Sequence, residues 1–258
     1  MGNNSESMRI ALIAAAAALA ACGGSKAPEP AAKTAEPVVY FHPDPATAGH
    51  LKGRILYQGA KPTKVLISMD SDVACAQEHG NKPVPEDIVQ VGKDGGLANA
   101  FIYIQTGLEG KKFEPVKEPV VLDQHGCQFV PRALGIRAGQ PFDLRNSDKV
   151  THNIHPVPKN NREWEQSQPP GSPDAEHKFA RAEIMIPVKC NIHQWMHAYI
   201  GVVEHPYFAV TGPDGSFDLG NVPPGDYTVA VWHEKLGDQT QQVHLAPSST
   251  QPVEFIYK

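Results

Sequence analysis

Segments with helical periodicity are scarce in this sequence of 258 residues, and several familiar signatures are missing. The chain has no Gly-rich phosphate-binding loop and no internal repeat. Its 24 Pro and 22 Gly favour short strands joined by turns, which predicts an all-β fold. The net charge of -5 gives no electrostatic reason to expect a nucleic-acid partner.

A hydrophobic run long enough to anchor the chain across a bilayer is also missing. The apolar run from Ile10 to Leu19 is too short for an anchor, but with Arg9 before it the run is typical of a signal peptide. It leads to Leu-Ala-Ala before Cys22, which resembles the lipobox of bacterial lipoproteins. The resemblance implies a signal peptide over residues 1–21, a lipid on Cys22 and a place on the periplasmic side of a bacterial envelope membrane. The alternative is an ordinary signal peptide followed by an incidental cysteine.

Residues 22–48 contain Ala, Pro and Lys without an apolar period. This composition predicts a flexible tether between the membrane and the folded part of the chain. Ordered structure is expected to begin near Gly49, where the first strand-like pattern starts.

One short stretch carries a concentrated set of metal-binding side chains. Cys190, His193 and Met196 place a thiol, an imidazole and a thioether within seven residues. A thiolate and imidazoles with a weak axial thioether form the ligand set of a mononuclear blue-copper site. The missing imidazole must come from elsewhere in the fold, and His152, after a predicted reverse turn, is the expected supplier. The thiolate favours copper or zinc, and the thioether favours copper over zinc.

Other metal and catalytic classes lack residues that they require. A dinuclear copper centre needs a second thiolate in the loop, where Cys190 stands alone. Multicopper oxidases need several His-x-His pairs, and the sequence has none. A hydrolytic role for Cys190 would leave Met196 unexplained. We therefore expect no catalytic residues and no enzyme activity. His155 is expected to be a non-ligand, because it lies three residues after His152 and residues three apart in a strand point to opposite faces.

The region from about Val120 to His205 resembles the cupredoxin family of plastocyanin and amicyanin. The likeness is carried by Phe129-Val130-Pro131, Leu134 to Gly139, the Asn146-x-Asp148 turn, His152 to His155 and the Cys-x2-His-x2-Met spacing of residues 190–196. It implies a Greek-key β-sandwich over residues 119–204 with one type 1 copper ion. It also implies that the ligands are His152, Cys190, His193 and Met196, and that the Asn153 side chain braces the cysteine loop. The polar connection from 156 to 182 departs from the family and predicts a long surface segment.

A second module follows the copper-binding region. Gly215-Ser216-Phe217 and residues 222–227 resemble the carboxypeptidase regulatory-like β-sandwich, and residues 49–53 with Ala100 to Ile104 look like its earlier strands. About 54 residues after His205 supply too few strands for a core of their own. We therefore expect residues 49–118 and 205–258 to form one domain into which the cupredoxin is inserted. The simpler alternative is three consecutive pieces.

The remaining cysteines form an even pair. With Cys22 assigned to lipid and Cys190 to copper, Cys75 and Cys127 are left in a disulfide-permissive compartment. A disulfide between them is expected. The alternative is a second metal site, since His79 follows Cys75 by four residues and His125 precedes Cys127 by two.

The function that follows from these features is one-electron transfer. The expected partners are redox proteins that the sequence does not identify, and a membrane reached through the lipid on Cys22. Two alternatives come from other classes: a periplasmic protein that delivers or stores copper, and a β-sandwich interaction module with a vestigial metal site. The complete four-ligand set argues against the last.

Overall fold

Strands account for 47% of the structure and helix for 3%, as the scarcity of helical periodicity predicts. A computed structural model describes residues 37–86 and 88–258. The all-β fold class is confirmed, and one short helix accompanies the strands within the described residues. The signal peptide expected over residues 1–21 and the lipid site expected at Cys22 lie outside those residues.

The elements fall into three consecutive groups along the chain. The first group contains β1 (Gly49–Tyr57), β2 (Val65–Ile67), α1 (Val73–Glu78), β3 (Val84–Glu86) and β4 (Phe101–Thr106). The second group contains β5 (Val120–Gln124), β6 (Phe129–Val130), β7 (Ala133–Arg137), β8 (Pro141–Asn146), β9 (His152–Pro156), β10 (Gln166–Gln168), β11 (Ala175–Lys178), β12 (Glu183–Lys189) and β13 (His197–Val203). The third group contains β14 (Phe208–Val210), β15 (Ser216–Val222), β16 (Gly225–His233), β17 (Gly237–Leu245) and β18 (Thr250–Tyr257).

Strands of the first and third groups share two sheets. Their orders are β15-β1-β18 and β14-β4-β16-β17. β1 pairs in parallel with β18, with Gly53 opposite Val253, and β4 pairs antiparallel with both β14 and β16. Strands that precede the second group therefore pair with strands that follow it, which is the arrangement that the insertion hypothesis requires.

These two sheets enclose one apolar core, and we call the pair the flanking sandwich. Leu51 and Ile55 of β1 are fully buried in the same cluster as Ile102 of β4. Val229 and Val231 of β16 add two side chains with the period of two that places them on one face. Their burial holds the two sheets together.

The second group forms another pair of sheets, which we call the central sandwich. The sheet orders are β10-β9-β12-β13-β7 and β11-β8-β5-β6. Their shared core includes Leu122, Ile136, Leu144, Ile154 and Ile200, all nearly or completely buried. Both sheets contain one parallel pair, β7 with β13 and β5 with β8.

The polar connection from 156 to 182 is more ordered than the sequence predicts. β10 pairs with β9 and β11 pairs with β8, so the connection adds one strand to each sheet of the central sandwich. The ring of Trp164 stacks on that of His177 with centroids 3.8 Å apart, and Phe179 is buried in the core. Most residues of the connection are exposed or half-buried, so it lies at the surface as expected. Its two strands do not follow from the sequence, because short polar edge strands lack the apolar alternation that marks a strand.

A small satellite structure from the first group lies beside the central sandwich. β2 and β3 form a two-stranded sheet, and together with α1 they make up what we call the cap segment, residues 65–86. Its buried side chains Met69 and Cys75 pack in one cluster with Cys127, and Trp195 from the second group packs against that cluster. The cap segment therefore contacts the loop that carries the predicted copper ligands.

Two glycines on neighbouring strands permit close contact between the sandwiches. Gly135 of β7 and Gly201 of β13 are register partners. A Cβ atom on Gly201 would lie 2.6 Å from the ring of Phe101 in β4, and one on Gly135 would lie 2.6 Å from the ring of Phe208 in β14. Both distances are far inside van der Waals contact, so only glycine allows these rings to pack on the central sandwich.

The described end of the expected tether lies against the folded unit. Phe41 N donates to Lys112 O at 2.6 Å, and Ser248 N donates to Thr47 O at 2.8 Å. Order therefore begins before Gly49. Within residues 37–86 and 88–258, no helix has the length and apolar character needed to cross a membrane.

Candidate metal centre

The loop between β12 and β13 is a hairpin that brings its two ends together. Lys189 and His197 are register partners at the base of this hairpin, with Cys190 just inside it. Cys190 N donates to Met196 O at 3.3 Å, and Met196 N donates to His193 O at 3.0 Å. These bonds fold residues 190–196 into a compact turn, and this turn carries three of the predicted ligands.

The remaining histidine reaches this loop from the neighbouring strand. β9 begins at His152 and pairs with β12, so its first residue lies beside the start of the loop. Ligand atoms of His152, Cys190 and His193 all lie within 4.8 Å of one another. His152 Nδ1 is 2.9 Å from His193 Nδ1, which is 3.8 Å from Cys190 Sγ. All three side chains are buried, with at most 2% of their surface exposed.

The sulfur of Cys190 is surrounded by groups that stabilise its thiolate. Burial opposes ionisation, but the hydrogen bonds that the sulfur accepts outweigh it. The imidazoles of His152 and His193 and the backbone N–H groups of Asn153 and His193 contribute, and the pKa of Cys190 falls to about 5. The two N–H donors lie 3.4 and 3.3 Å from the sulfur. Cys190 is thus poised to be a thiolate at neutral pH.

The two histidines can hold only one proton between their facing nitrogens. At 2.9 Å, one Nδ1 must donate and the other must accept. Burial lowers the pKa of His152, but hydrogen bonds to Asp148 and Cys190 raise it to about 9. The pKa of His193 is also raised, against burial and the charge of His152, by hydrogen bonds to Cys190 and Asp72. The proton shared by the two Nδ1 atoms places one positive charge beside the thiolate. A bound metal ion would take the place of this proton.

Asp148 orients His152 from the same segment. Its Oδ2 lies 2.9 Å from His152 Nε2, and because a carboxylate only accepts, this nitrogen carries the proton. The carboxylate also accepts from the backbone N–H groups of Gly126 and Cys127 at 2.7 and 2.8 Å. Its pKa is lowered, since these bonds and that to His152 outweigh its burial. With Nε2 occupied, Nδ1 of His152 is the nitrogen left to bind a metal.

Asp72 has the same relation to His193 but comes from the cap segment. Its Oδ2 lies 3.1 Å from His193 Nε2, again leaving Nδ1 facing the sulfur. Its Oδ1 caps α1 by accepting from Ala74 N and Cys75 N at 2.9 and 3.0 Å. The contact between Asp72 and His193 does not follow from the sequence, because the two residues are 121 positions apart. The one local signal is an N-cap aspartate before a predicted helical turn.

The other two residues of the predicted site also lie in the loop region. Met196 is fully buried in the same apolar cluster as Cys190. Asn153 accepts a hydrogen bond from Asn191 N at 2.6 Å through its Oδ1, and its Nδ2 donates to Glu165. The Asn153 side chain thus ties β9 to the second residue of the ligand loop.

Cys75 and Cys127 are joined in a disulfide. The alternative of a second metal site on these sulfurs therefore does not hold for this structure. His79 Nε2 donates to Gly126 O at 2.8 Å, and His125 is largely exposed. His155 is outside the metal-binding group as well, with its Nε2 2.6 Å from Glu163 Oε1.

The donor set fits a soft transition-metal ion. Protein ligands sit about 2.0–2.3 Å from such an ion, so two donors that share it lie about 3–4.5 Å apart. The separations of 2.9 and 3.8 Å between the Nδ1 atoms and between Nδ1 and the sulfur are close to that range. Both imidazoles have their outer nitrogen bound to a carboxylate, as metal-binding histidines commonly do. His152, Cys190 and His193 would hold the ion, with the buried thioether of Met196 as the weak fourth donor.

No protein-family model and no curated protein sequence matches the chain. Several solved structures resemble part of it. A Cu-containing nitrite reductase (NirK) from Thermus scotoductus SA-01 is 21% identical with a TM-score of 0.32, and the match covers 39% of this chain. The chain spans only 25% of that protein's length.

Two shorter proteins match over nearly their whole length. A purple cupredoxin from Nitrosopumilus maritimus is 20% identical with a TM-score of 0.28, covering 32% of this chain and 98% of its own. A variant of amicyanin in its Cu(I) form is 18% identical with a TM-score of 0.29, covering 39% of this chain and 97% of its own. The function proposed below rests on the atoms of the site.

Proposed function

We propose that this protein is a type 1 (blue) copper protein that carries single electrons. The observation that supports the proposal is the convergence of one thiolate sulfur and two imidazole Nδ1 atoms in a buried site. A buried thioether follows in the same loop. This ligand set is that of a blue-copper electron-transfer site, and bound copper would supply the chemistry by alternating between Cu(I) and Cu(II).

The chain's own residues would keep the site rigid. The sulfur of Cys190 accepts two backbone hydrogen bonds, and His152 and His193 are each held by a carboxylate. Asn153 fixes the loop from the other side through Asn191. Electron transfer is faster when little reorganisation separates the two oxidation states, and these bonds resist movement in both.

Burial favours an electron carrier over the alternative of copper delivery or storage. A delivery site must pass its ion to a partner by exchanging ligands, which requires exposed donors. His193 and Cys190 are each only 2% exposed, and His152 is not exposed at all. Copper delivery or storage is therefore the second candidate, and the spectrum of the copper-loaded protein distinguishes it from electron transfer.

The deciding measurement is the visible and EPR spectrum of the copper-loaded protein. We expect intense thiolate-to-Cu(II) absorption and a narrow hyperfine splitting, both lost in Cys190→Ser. Met196→Leu should shift the spectrum, whereas Met185→Leu, a buried methionine in a different cluster, should not. A colourless protein that binds only Cu(I) would contradict electron transfer and favour delivery.

We further propose that the chain is exported and held at a bacterial membrane by a lipid on Cys22, where redox proteins would reach it. The lipobox-like sequence supports this, as does a disulfide of the kind that oxidising compartments permit. Labelling with radioactive palmitate in a bacterial host would test it. Incorporation should be lost in Cys22→Ala and retained in Cys190→Ser.

We also propose that residues 119–204 are a copper domain inserted into a second sandwich made of 49–118 and 205–258. The sharing of two sheets by the first and third groups of strands supports this division. The carboxypeptidase regulatory-like assignment of the second sandwich rests on its sequence pattern. Expression of residues 119–204 alone would test this division, because this part should fold into a β-sandwich and failure to fold would contradict the proposal. Its affinity for copper should be lower than that of the full chain, because Asp72 of the cap segment is missing.

A further inference from the structure

The histidine in the ligand loop is oriented by a residue that lies outside the copper-binding region. Asp72 divides its carboxylate between two tasks. Oδ1 accepts from the first N–H groups of α1, and Oδ2 accepts from His193 Nε2. Because the helix N-terminus fixes one oxygen, the other is held in a set direction toward the imidazole.

The two carboxylates that hold the ligand histidines are connected through the disulfide. Asp72 accepts from the backbone N–H of Cys75, and Asp148 accepts from that of Cys127. Cys75 and Cys127 are bonded to each other. A continuous chain of contacts therefore runs from His193 through Asp72, across the disulfide, to Asp148 and His152.

The cap segment also closes the site to solvent on the side of His193. The sulfur of Cys75, from the cap segment, lies 3.8 Å from His193 Nε2, and Trp195 of the ligand loop itself has its ring centroid 5.0 Å from that of His193. The imidazole is left only 2% exposed. Without the cap segment, His193 Nε2 would lose its carboxylate partner and its contact with the sulfur of Cys75.

Resting on the proposed function, we propose that Asp72 is a positioning residue for the metal ligand His193 and that the Cys75–Cys127 disulfide holds it there. Asp72 keeps the proton on Nε2 and prevents rotation of the ring, so that Nδ1 faces the sulfur of Cys190 and would be free to bind the ion. The metal site is thereby completed by residues 65–86, from the segment before the cupredoxin-like region. Removing such an outer partner typically lowers metal affinity about 10- to 100-fold.

A helix-capping role alone is separable from this positioning role. Ser and Asp are about equally good N-caps, so Asp72→Ser preserves the cap while its single, shorter oxygen no longer reaches His193. Asp70→Ser is the matched control. It removes the same charge two residues earlier from an exposed side chain that bonds only Ser68 among the described contacts.

The experiment is a titration of the metal-free full chain with Cu(II), followed by EPR and measurement of the midpoint potential. We expect Asp72→Ser to lose about 10- to 100-fold in copper affinity. Its potential should rise, because a negative charge beside the site is gone, and its hyperfine splitting should change. Asp70→Ser should match the wild type. If Asp72→Ser behaves like Asp70→Ser, the positioning role is overturned.

The role of the disulfide is tested by a double-mutant cycle. Cys75→Ala/Cys127→Ala should lower the affinity for Cu(II). When Asp72→Ser is combined with it, the total loss of binding free energy should be smaller than the sum of the two separate losses. Full additivity would show that the disulfide does not act through Asp72. Thermal unfolding of all variants confirms that they are folded at the temperature of the titration.

A measurement without metal keeps this inference separate from the proposed function. In the metal-free protein, the Nε2–H proton of His193 should be protected from exchange and visible by ¹H–¹⁵N NMR in the wild type and Asp70→Ser. It should be lost by exchange in Asp72→Ser. Persistence in Asp72→Ser would overturn the inference even if copper binds as proposed. Absence of thiolate–copper colour in the wild type would overturn the proposed function and leave this comparison valid.

Discussion

Buried histidines occur in both sandwiches, but their partners differ. In the central sandwich, His152 and His193 each bond a carboxylate and face a thiolate, and the pKa of each is raised despite burial. In the flanking sandwich, His233 is fully buried, accepts one bond from Lys235 N, and its Nε2 has no partner among the described residues. Burial lowers the pKa of His233 to about 4. Burial alone keeps an imidazole neutral. Anionic partners reverse this effect, because they stabilise a positive charge at the imidazole.

The largest effect expected from this difference is stabilisation by copper. Free copper at 1,000 times its Kd should raise the free energy of unfolding by about 4 kcal/mol, because only the folded state holds the complete site. His152→Ala should abolish this gain, and His233→Leu should leave it intact. Chemical denaturation with and without copper measures both. A gain that survives in His152→Ala would mean that copper binds elsewhere.

The next effect is a loss of stability in acid that originates in the flanking sandwich. Above pH 6.5, His233 is neutral in both states and imposes no penalty. As the pH falls from 6.5 toward 4, the unfolded chain takes up a proton that the folded chain does not, so the free energy of unfolding falls. The full difference is roughly 3 kcal/mol at pH 4 and below.

His233→Leu should flatten this pH dependence, which urea unfolding at pH 7 and pH 4.5 would reveal. His244→Leu is the matched control, because His244 is exposed and bonded to Asp226. Equal slopes in the wild type and His233→Leu would show that His233 does not carry the acid sensitivity.

A smaller loss is expected where the two sandwiches meet. Gly201→Ala would push a methyl group into the ring of Phe101. Overpacking of this kind lowers the free energy of unfolding by about 1–3 kcal/mol. Gly212→Ala is the control, because the nearest atom to its added Cβ would be 3.8 Å away. Equal melting temperatures for the two variants would count against close packing at this junction.

The smallest effect concerns the brace within the central sandwich. Asn153→Ala removes the acceptor for Asn191 N and should lower the free energy of unfolding by about 1 kcal/mol. It should also broaden the EPR signal of the copper site, because the ligand loop would hold more than one geometry. Asn160→Ala, at an exposed position, should do neither. An unchanged spectrum in Asn153→Ala would show that the loop is fixed without the brace.

The sequence predicts which candidate ligands come together where these residues are close in the chain. Residue types and spacing single out Cys190, His193 and Met196 as candidate ligands, and the structure brings His152 from the neighbouring strand to Cys190 and His193. Asp148 is also within reach of sequence reasoning, since it lies four residues before His152 in a predicted turn. Asp72 is not, because its contact with His193 depends on how the cap segment packs on a distant loop.

The same distinction applies to the strands. β1, β4 and β16 have apolar alternation or β-branched runs, so their existence follows from their residues. β10 and β11 are short and polar, and they become strands only because β9 and β8 offer free edges. Tertiary pairing, absent from the local pattern, creates them.

The parallel pairing of β1 with β18 also dictates an order of assembly. Because a chain is both synthesised and exported from its N-terminus, every strand of the central sandwich emerges before β15 and β18, the two strands that pair with β1. The cap segment, with Asp72 and Cys75, has emerged earlier still. The candidate metal ligands and their carboxylates can therefore come together while β1 still lacks both partners, and the flanking sandwich is completed only afterwards.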